Sequence, residues 1–95
     1  MKHVVLCDFR DDLPAAELVS VIADFAELAN TVPSVQQLEH GENVSPEELD
    51  DGYTHCFLVT FADAAARDAY LVDPVHLAFV ERFTPTLKRI LVVDF

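Results

Sequence analysis

Three stretches of this chain alternate as strands do, yet stay apolar on both sides. Residues 2–10 place His3, Val5, Cys7 and Phe9 on one side, and Val4, Leu6 and Asp8 on the other. Residues 53–61 set Tyr53, His55, Phe57, Val59 and Phe61 against Thr54, Cys56, Leu58 and Thr60. The last stretch, Arg89–Phe95, sets Ile90, Val92 and Asp94 against Arg89, Leu91 and Val93. A sheet with one wet face shows polar residues at alternate positions. These strands do not, so both faces of their sheet need cover. A chain of 95 residues has limited room to supply that cover twice.

Helical periodicity fills the intervals. From about residue 14 to 31, Leu18, Ile22, Phe25, Ala29 and Val32 recur at helical spacing, with Pro14 suited to the first helical position. Pro33 stops this helix by Thr31. Val35 to about Glu42 reads as a second, more polar strand. Ser45-Pro46-Glu47-Glu48 has the form of a capping box and predicts a single helical turn, closed by Asp51-Gly52. Asp63 caps a short helix over Ala64–Leu71. Asp73-Pro74 restarts it in a new direction, with Val75, Phe79, Val80, Phe83 and Leu87 as its stripe and Pro85 ending or bending it near Thr84.

The order β-α-β-β-α-β predicts an α+β, ferredoxin-like arrangement: one antiparallel sheet with helices on one face, a single domain over residues 1–95. Two helices leave the other face bare. Val4, Leu6, Cys56, Leu58, Leu91 and Val93, or an equally apolar set, remain to be covered, at ~1.5–3 kcal/mol for each side chain buried. A second copy packed sheet to sheet supplies that cover, so a homodimer is expected.

Charge narrows the partners. Six Lys and Arg against seventeen Asp and Glu give 6 − 17 = −11. A chain so acidic is ill suited to the phosphates of nucleic acid or to an anionic membrane surface. The longest apolar runs, such as Ile90–Val93, are far short of the ~20 residues of a membrane span. No apolar segment of signal-peptide type follows Met1, and Cys7 and Cys56 read as free thiols, so a cytoplasmic location is expected. With Gly41 and Gly52 as the only glycines there is no phosphate-binding loop, and the expectation is no cofactor. No metal site is expected either. His3 and His55 fall at opposite ends of paired strands, roughly 20 Å apart at ~3.4 Å per residue. The acidic group Glu47, Glu48, Asp50 and Asp51 lacks calcium-loop spacing. Asp94, in an apolar strand, needs a partner such as a backbone donor, Arg89 or Lys88.

An ordered set of short motifs runs nearly end to end: Lys2-His3-Val4-Val5-Leu6, Gly41-Glu42-Asn43-Val44-Ser45, Gly52-Tyr53-Thr54-His55, Val59-Thr60-Phe61, Ala69-Tyr70-Leu71, Pro74-Val75-His76 and Val93-Asp94-Phe95. In this order the chain resembles the stress-responsive dimeric α/β-barrel family. The resemblance implies a homodimer whose two sheets form a barrel, with a pocket between each sheet and its own helices. It also implies relatives of two kinds, stress-associated proteins and a plant branch that cyclises polyketide chains. In that branch the residues matching Tyr70 and His76 serve the reaction, the histidine as base. A tyrosine of that branch is replaced here by Phe25, and a frequent histidine by Asp73.

Residues facing the helices make the candidate pocket: His3, Val5, Cys7, Ile22, Phe25, His55, Phe57, Phe79 and Ile90. His76 lies in the first turn of its helix, where the positive end favours a neutral imidazole and Asp73 opposes it. It acts as a base with Tyr70, lines the pocket without catalysis, or only packs locally. Two functions follow. The first is a homodimer whose mostly apolar pocket binds a small organic molecule. The second is a cofactor-free cyclase or lyase in which His76 removes a proton alpha to a carbonyl while Tyr70 steadies the enolate oxygen. Cofactor-free oxygenation of an aromatic substrate is a third possibility that rests on architecture alone.

Overall fold

The computed structural model describes residues Met1–Phe95. Four strands, β1 (Lys2–Phe9), β2 (Gln37–Glu42), β3 (His55–Thr60) and β4 (Leu87–Asp94), form one antiparallel sheet in the order β2-β3-β1-β4. Helices α1 (Ala15–Thr31), α2 (Ala64–Val72) and α3 (Pro74–Phe83) cover one of its faces, and a 3₁₀ turn over Thr84–Thr86 leads into β4. This is the ferredoxin-like arrangement expected from the order of elements. No helix is long and apolar enough to cross a membrane.

Pairing register decides which side chains share a face. His3, Val5 and Cys7 lie opposite Val59, Phe57 and His55 on β3 and opposite Asp94, Val92 and Ile90 on β4. All of these face the helices. The core sits there, around Phe25 of α1 stacked flat on Phe57 of β3 with ring centroids 4.0 Å apart. Phe79 and Phe83 of α3 close on the same ring at 5.0 and 5.4 Å. The opposite face presents two apolar rows across three strands, Leu58–Val4–Val93 and Cys56–Leu6–Leu91. Leu91 and Val93 are 44% and 53% exposed there.

Both aspartate caps form as read. The Asp63 carboxylate accepts from the Ala66 amide at 2.8 Å, and that of Asp73 from the Val75 amide at 2.8 Å. Pro14 differs by one place. It is extended (ψ 143°) and stands just outside α1, its carbonyl accepting the Leu18 amide. Strand boundaries also move: β2 starts at Gln37 because Val35 turns back onto Val32, and β4 starts at Leu87, two residues early.

The capping box does not form. Ser45 Oγ reaches the Glu47 amide, not that of Glu48, and Glu48 has a positive φ of 60°. Short polar side chains hold the loop instead. Asn43 Oδ1 accepts from the Ser45 amide, Asp50 accepts from the Asn43 side-chain amide and from the Gly52 amide, and these bonds replace a helical turn. Gly52 is required: its φ is +84°, and a Cβ would lie 2.8 Å from Arg89 Nη2. Arg89 clasps this loop to the sheet, its guanidinium 4.5 Å from the Tyr53 ring centre and paired with Asp8 and Asp51.

Phe57→Ala would remove one face of the central stack from a position 1% exposed. The expected loss is ~3–5 kcal/mol of unfolding free energy in urea. A loss under about 1 kcal/mol would show that the stack is not the centre of the core.

Candidate functional site

A cavity of about 220 Å³ opens between α3 and β4. Phe25, Phe79, Val80 and Phe83 form its wall on the helix side, and Val5, Ile90 and Val92 its wall on the sheet. One end is polar. There Tyr70 of α2, His76 of α3 and His3 of β1 converge, although they come from three elements. The Tyr70 ring lies 4.1 Å from that of His76 and 5.8 Å from that of His3. The turn at Asp73-Pro74 makes this possible, because it folds α3 back so that its first turn meets the last turn of α2.

His76 Nδ1 lies 3.3 Å from the carbonyl oxygen of Leu71, which can only accept, so that nitrogen carries a hydrogen and Nε2 is left for the cavity. Burial lowers its pKa below the ordinary value, and the Leu71 carbonyl and Asp73 only partly oppose this. Its imidazole is therefore neutral at pH 7. Tyr70 is 1% exposed, and burial holds its phenol pKa above the ordinary value. None of the protein's hydrogen bonds uses its hydroxyl, and Ser34 Oγ is the one side-chain polar atom sealed from solvent without a partner, so the phenol oxygen reaches the cavity as an available donor.

Asp94 was expected to pair with Arg89, Lys88 or a backbone donor. It pairs instead with His3 Nδ1 at 2.7 Å and with Arg67 Nη1 of α2 at 2.5 Å. Arg89 and Lys88 are engaged elsewhere, with Asp8 and Asp51 and with Asp11. Burial works against the Asp94 carboxylate, yet the bonds from Arg67 and His3 outweigh it and hold its pKa below the usual value. The carboxylate accepts the Nδ1 hydrogen of His3, which leaves Nε2 as the ring atom free to meet a ligand. Sequence reasoning missed this chain of contacts because residues 3, 67 and 94 are joined only by the fold.

Of the candidate pocket residues, His3, Val5, Phe25, Phe79 and Ile90 line this cavity, as do His76 and Tyr70. Four others do not. Cys7 is sealed in the core, its thiol pushed up to about 12 chiefly by burial, and Phe57 lies beneath Phe25. Ile22 and His55 line a separate open groove of about 360 Å³ between α1 and β2, with Leu18, His40 and Glu42. Burial lowers the His55 pKa, and its Nε2 is 3.9 Å from Glu42. His3 and His55 stand at opposite ends of the β1–β3 pair, and no three His, Cys, Asp or Glu side chains gather to hold a metal. Val80 and Phe83 of the helical stripe, Val92 of the last strand, and Leu71 and Thr84, which no pattern marks for a site, also line the cavity.

The family model for the stress responsive A/B barrel domain matches residues 1–95. The chain belongs to this family. The stress-response A/B barrel domain-containing protein HS1 of Arabidopsis thaliana is 34% identical over 95 residues, covering 100% of this chain and 87% of that protein. Olivetolic acid cyclase of Cannabis sativa is 24% identical over 95 residues, covering 100% of this chain and 94% of the cyclase. Among solved structures, the hydroxynitrile lyase from Passiflora edulis matches with a TM-score of 0.93 at 27% identity, covering 99% of this chain and 89% of that one. A dimeric ferredoxin-like protein from Jannaschia sp. CCS1 matches with a TM-score of 0.85 at 30% identity, covering 99% of this chain and 95% of that one. The family thus holds proteins named for stress response beside proteins named as enzymes.

The Arg67–Asp94–His3 chain makes a pH signature. A carboxylate whose folded pKa lies below the ordinary ~3.9 stabilises the fold at neutral pH, and that contribution fades as pH falls through the folded-state pKa. Asp94→Asn is expected to lower unfolding free energy at pH 7 by on the order of 1 kcal/mol. The gap from the unaltered protein narrows as pH falls below about 4. Denaturant titrations across that range measure it; a gap of constant size would mean that Asp94 acts by shape and not by charge.

Proposed function

We propose that this stress responsive A/B barrel protein works as a homodimer that binds a small, largely apolar organic molecule carrying one hydrogen-bonding end. The observation that carries this reading is the cavity between α3 and β4, apolar over most of its wall, with His3, Tyr70 and His76 gathered at one end and Thr84 the one other polar residue. The Tyr70 hydroxyl has no protein partner and is open to the cavity, so a ligand oxygen that accepts from it replaces water there at a modest net gain. A carbonyl or hydroxyl oxygen of a ligand would do so, with the apolar remainder against Phe79, Val80 and Phe83. The two apolar rows of the open sheet face support the dimer, as does the dimeric state named for the Jannaschia protein.

A second reading is favoured by the protonation states. His76 is neutral with Nε2 available as a base, and Tyr70 stays a phenol. A cofactor-free cyclase or lyase needs that pair. Nε2 takes a proton from the carbon alpha to a carbonyl, and the phenol donates to the enolate oxygen as it forms. Against it stands the apolar remainder of the cavity: Phe25 offers no hydrogen bond where the cyclising branch has a tyrosine, so several carbonyls in one substrate would find donors only at one end.

Leu58→Lys puts a charge at the β3 end of an apolar row and is expected to give monomer or aggregate in light scattering, where the unaltered protein gives a dimer. A monomeric unaltered protein at micromolar concentration would sink the dimer. Tyr70→Phe and His76→Ala separate the two readings. If the protein only binds, Tyr70→Phe weakens affinity by ~0.5–1.5 kcal/mol. If it is an enzyme, each change lowers turnover, by ~10²–10⁴ for a general base, while binding survives. An unfolded His76→Ala protein would show that the imidazole is structural and would defeat both.

A further inference from the structure

Two free edges border the sheet, and a concave site lies beside each on the helix-covered side. At the β4 edge is the cavity, with Ile90 and Val92 at its mouth, 45% and 48% exposed. At the β2 edge is the groove between α1 and β2, lined by Leu18, Ile22, His40, Glu42 and His55. Within one chain the two are separated by the Phe25–Phe57 stack, whose Phe57 ring carries His40 on its other side at 5.4 Å. A second sheet on the open face does not cover Ile90 and Val92, which point the other way. The run Ile90–Val93 on this edge strand, left uncovered, is also an aggregation hazard.

When two such sheets close face to face, the seams follow one of two patterns. Either β4 meets the partner's β2 at both seams, or β4 meets β4 and β2 meets β2. Charge decides between them. β2 carries Glu39 and Glu42 and no cation, whereas β4 carries Lys88 and Arg89, which pair with Asp11, Asp8 and Asp51, and Asp94, which His3 and Arg67 hold. Like-with-like seams would set the two acidic strands against each other, which is unfavourable, whereas the β4–β2 seams set each acidic strand beside one whose charges are balanced.

We infer that the cavity of one subunit and the α1–β2 groove of its partner meet across the β4–β2 seam and form one shared ligand site, completed by the partner's His40. The inference rests on the face-to-face dimer and ligand binding proposed above and adds to them the source of the far wall. It also narrows the ligand. A molecule filling both halves is elongated, apolar in the middle, and able to hydrogen-bond at each end, to Tyr70 and His76 at one and to the partner's His40 at the other.

Mixed dimers test this, with the neutral fluorescent probe 4,4′-dihydroxystilbene, which is elongated, apolar in the middle and carries a hydroxyl at each end. His76→Ala damages the cavity and His40→Ala the groove, so every site in either homodimer carries one lesion. Each homodimer is expected to bind the probe about three- to tenfold more weakly than the unaltered dimer. Co-expressed with different tags and purified as a mixed dimer, the two chains place both lesions in one site and none in the other. Half of the sites then regain unaltered affinity. If groove and cavity served one ligand within a chain, the mixed dimer would hold no intact site and no affinity would return. That result, or a His40→Ala homodimer that binds as tightly as the unaltered one, overturns the shared site while leaving binding intact. An unaltered protein that is monomeric, or that fails to bind the probe, instead overturns the reading beneath it.

Discussion

A sheet that is apolar on both faces has to be covered twice, and one short chain with three helices covers it once. Everything else in this molecule is arranged around that shortfall. The helix layer concentrates its aromatic rings on one face, where Phe25, Phe57, Phe79 and Phe83 share contacts within about one ring's width of each other. The other face keeps two unbroken apolar rows. Most of its polar residues sit at the ends, where Lys2 bonds Thr60 and Arg89 holds Asp8, while Glu39 of the edge strand β2 stands beside Leu58. The loop that Arg89 clasps stands at one end of those rows.

The polar end of the cavity follows from the same economy of surface. Strands β1 and β4 are neighbours, so the first and last segments of the chain put His3 directly opposite Asp94. Burying a carboxylate there is costly, and a single imidazole would leave one oxygen unmet. Arg67 meets it from α2, the same helix that carries Tyr70. One helix therefore neutralises Asp94 and delivers the phenol, and the placement of His3 depends on both. This link explains how a site with no metal or cofactor ligands gathers three hydrogen-bonding side chains in an apolar wall.

Much of this was legible in the residues, and the part that was not has a definite physical cause. Two-residue alternation told which side of the sheet each residue faces, and Asp63 and Asp73 announced their helices through capping chemistry. Alternation is silent about position within a face. Cys7, Phe57 and His55 share the helix side with Val5 and Ile90, but α1 and α3 cross that side and divide it into cavity, sealed core and groove. Which third a residue enters depends on helix placement, a tertiary fact. The loop over residues 43–52 failed for another reason: Ser45 and Glu48 had the spacing of a capping box, while Asn43 and Asp50 offered the backbone better local bonds. Asp94 needed a partner on physical grounds alone, but the nearest cations in sequence, Lys88 and Arg89, were already committed.

Burial acts in opposite directions on Tyr70 and His76 beside the cavity, and the result is the same for both. It lowers the pKa of His76 and raises that of Tyr70, and each is thereby kept uncharged at neutral pH. The field around them favours no anion, since the chain carries −11 and Asp73 and Asp94 stand behind the two imidazoles. A carboxylate or phosphate would enter against that field with no cation in the wall to meet it. Neutral molecules lose nothing on that account, and a neutral carbonyl gains a donor in the Tyr70 phenol, which no protein group occupies. The physics of the site thus selects uncharged ligands first and their shape second, and a proton taken from such a ligand by His76 would have to be returned before release.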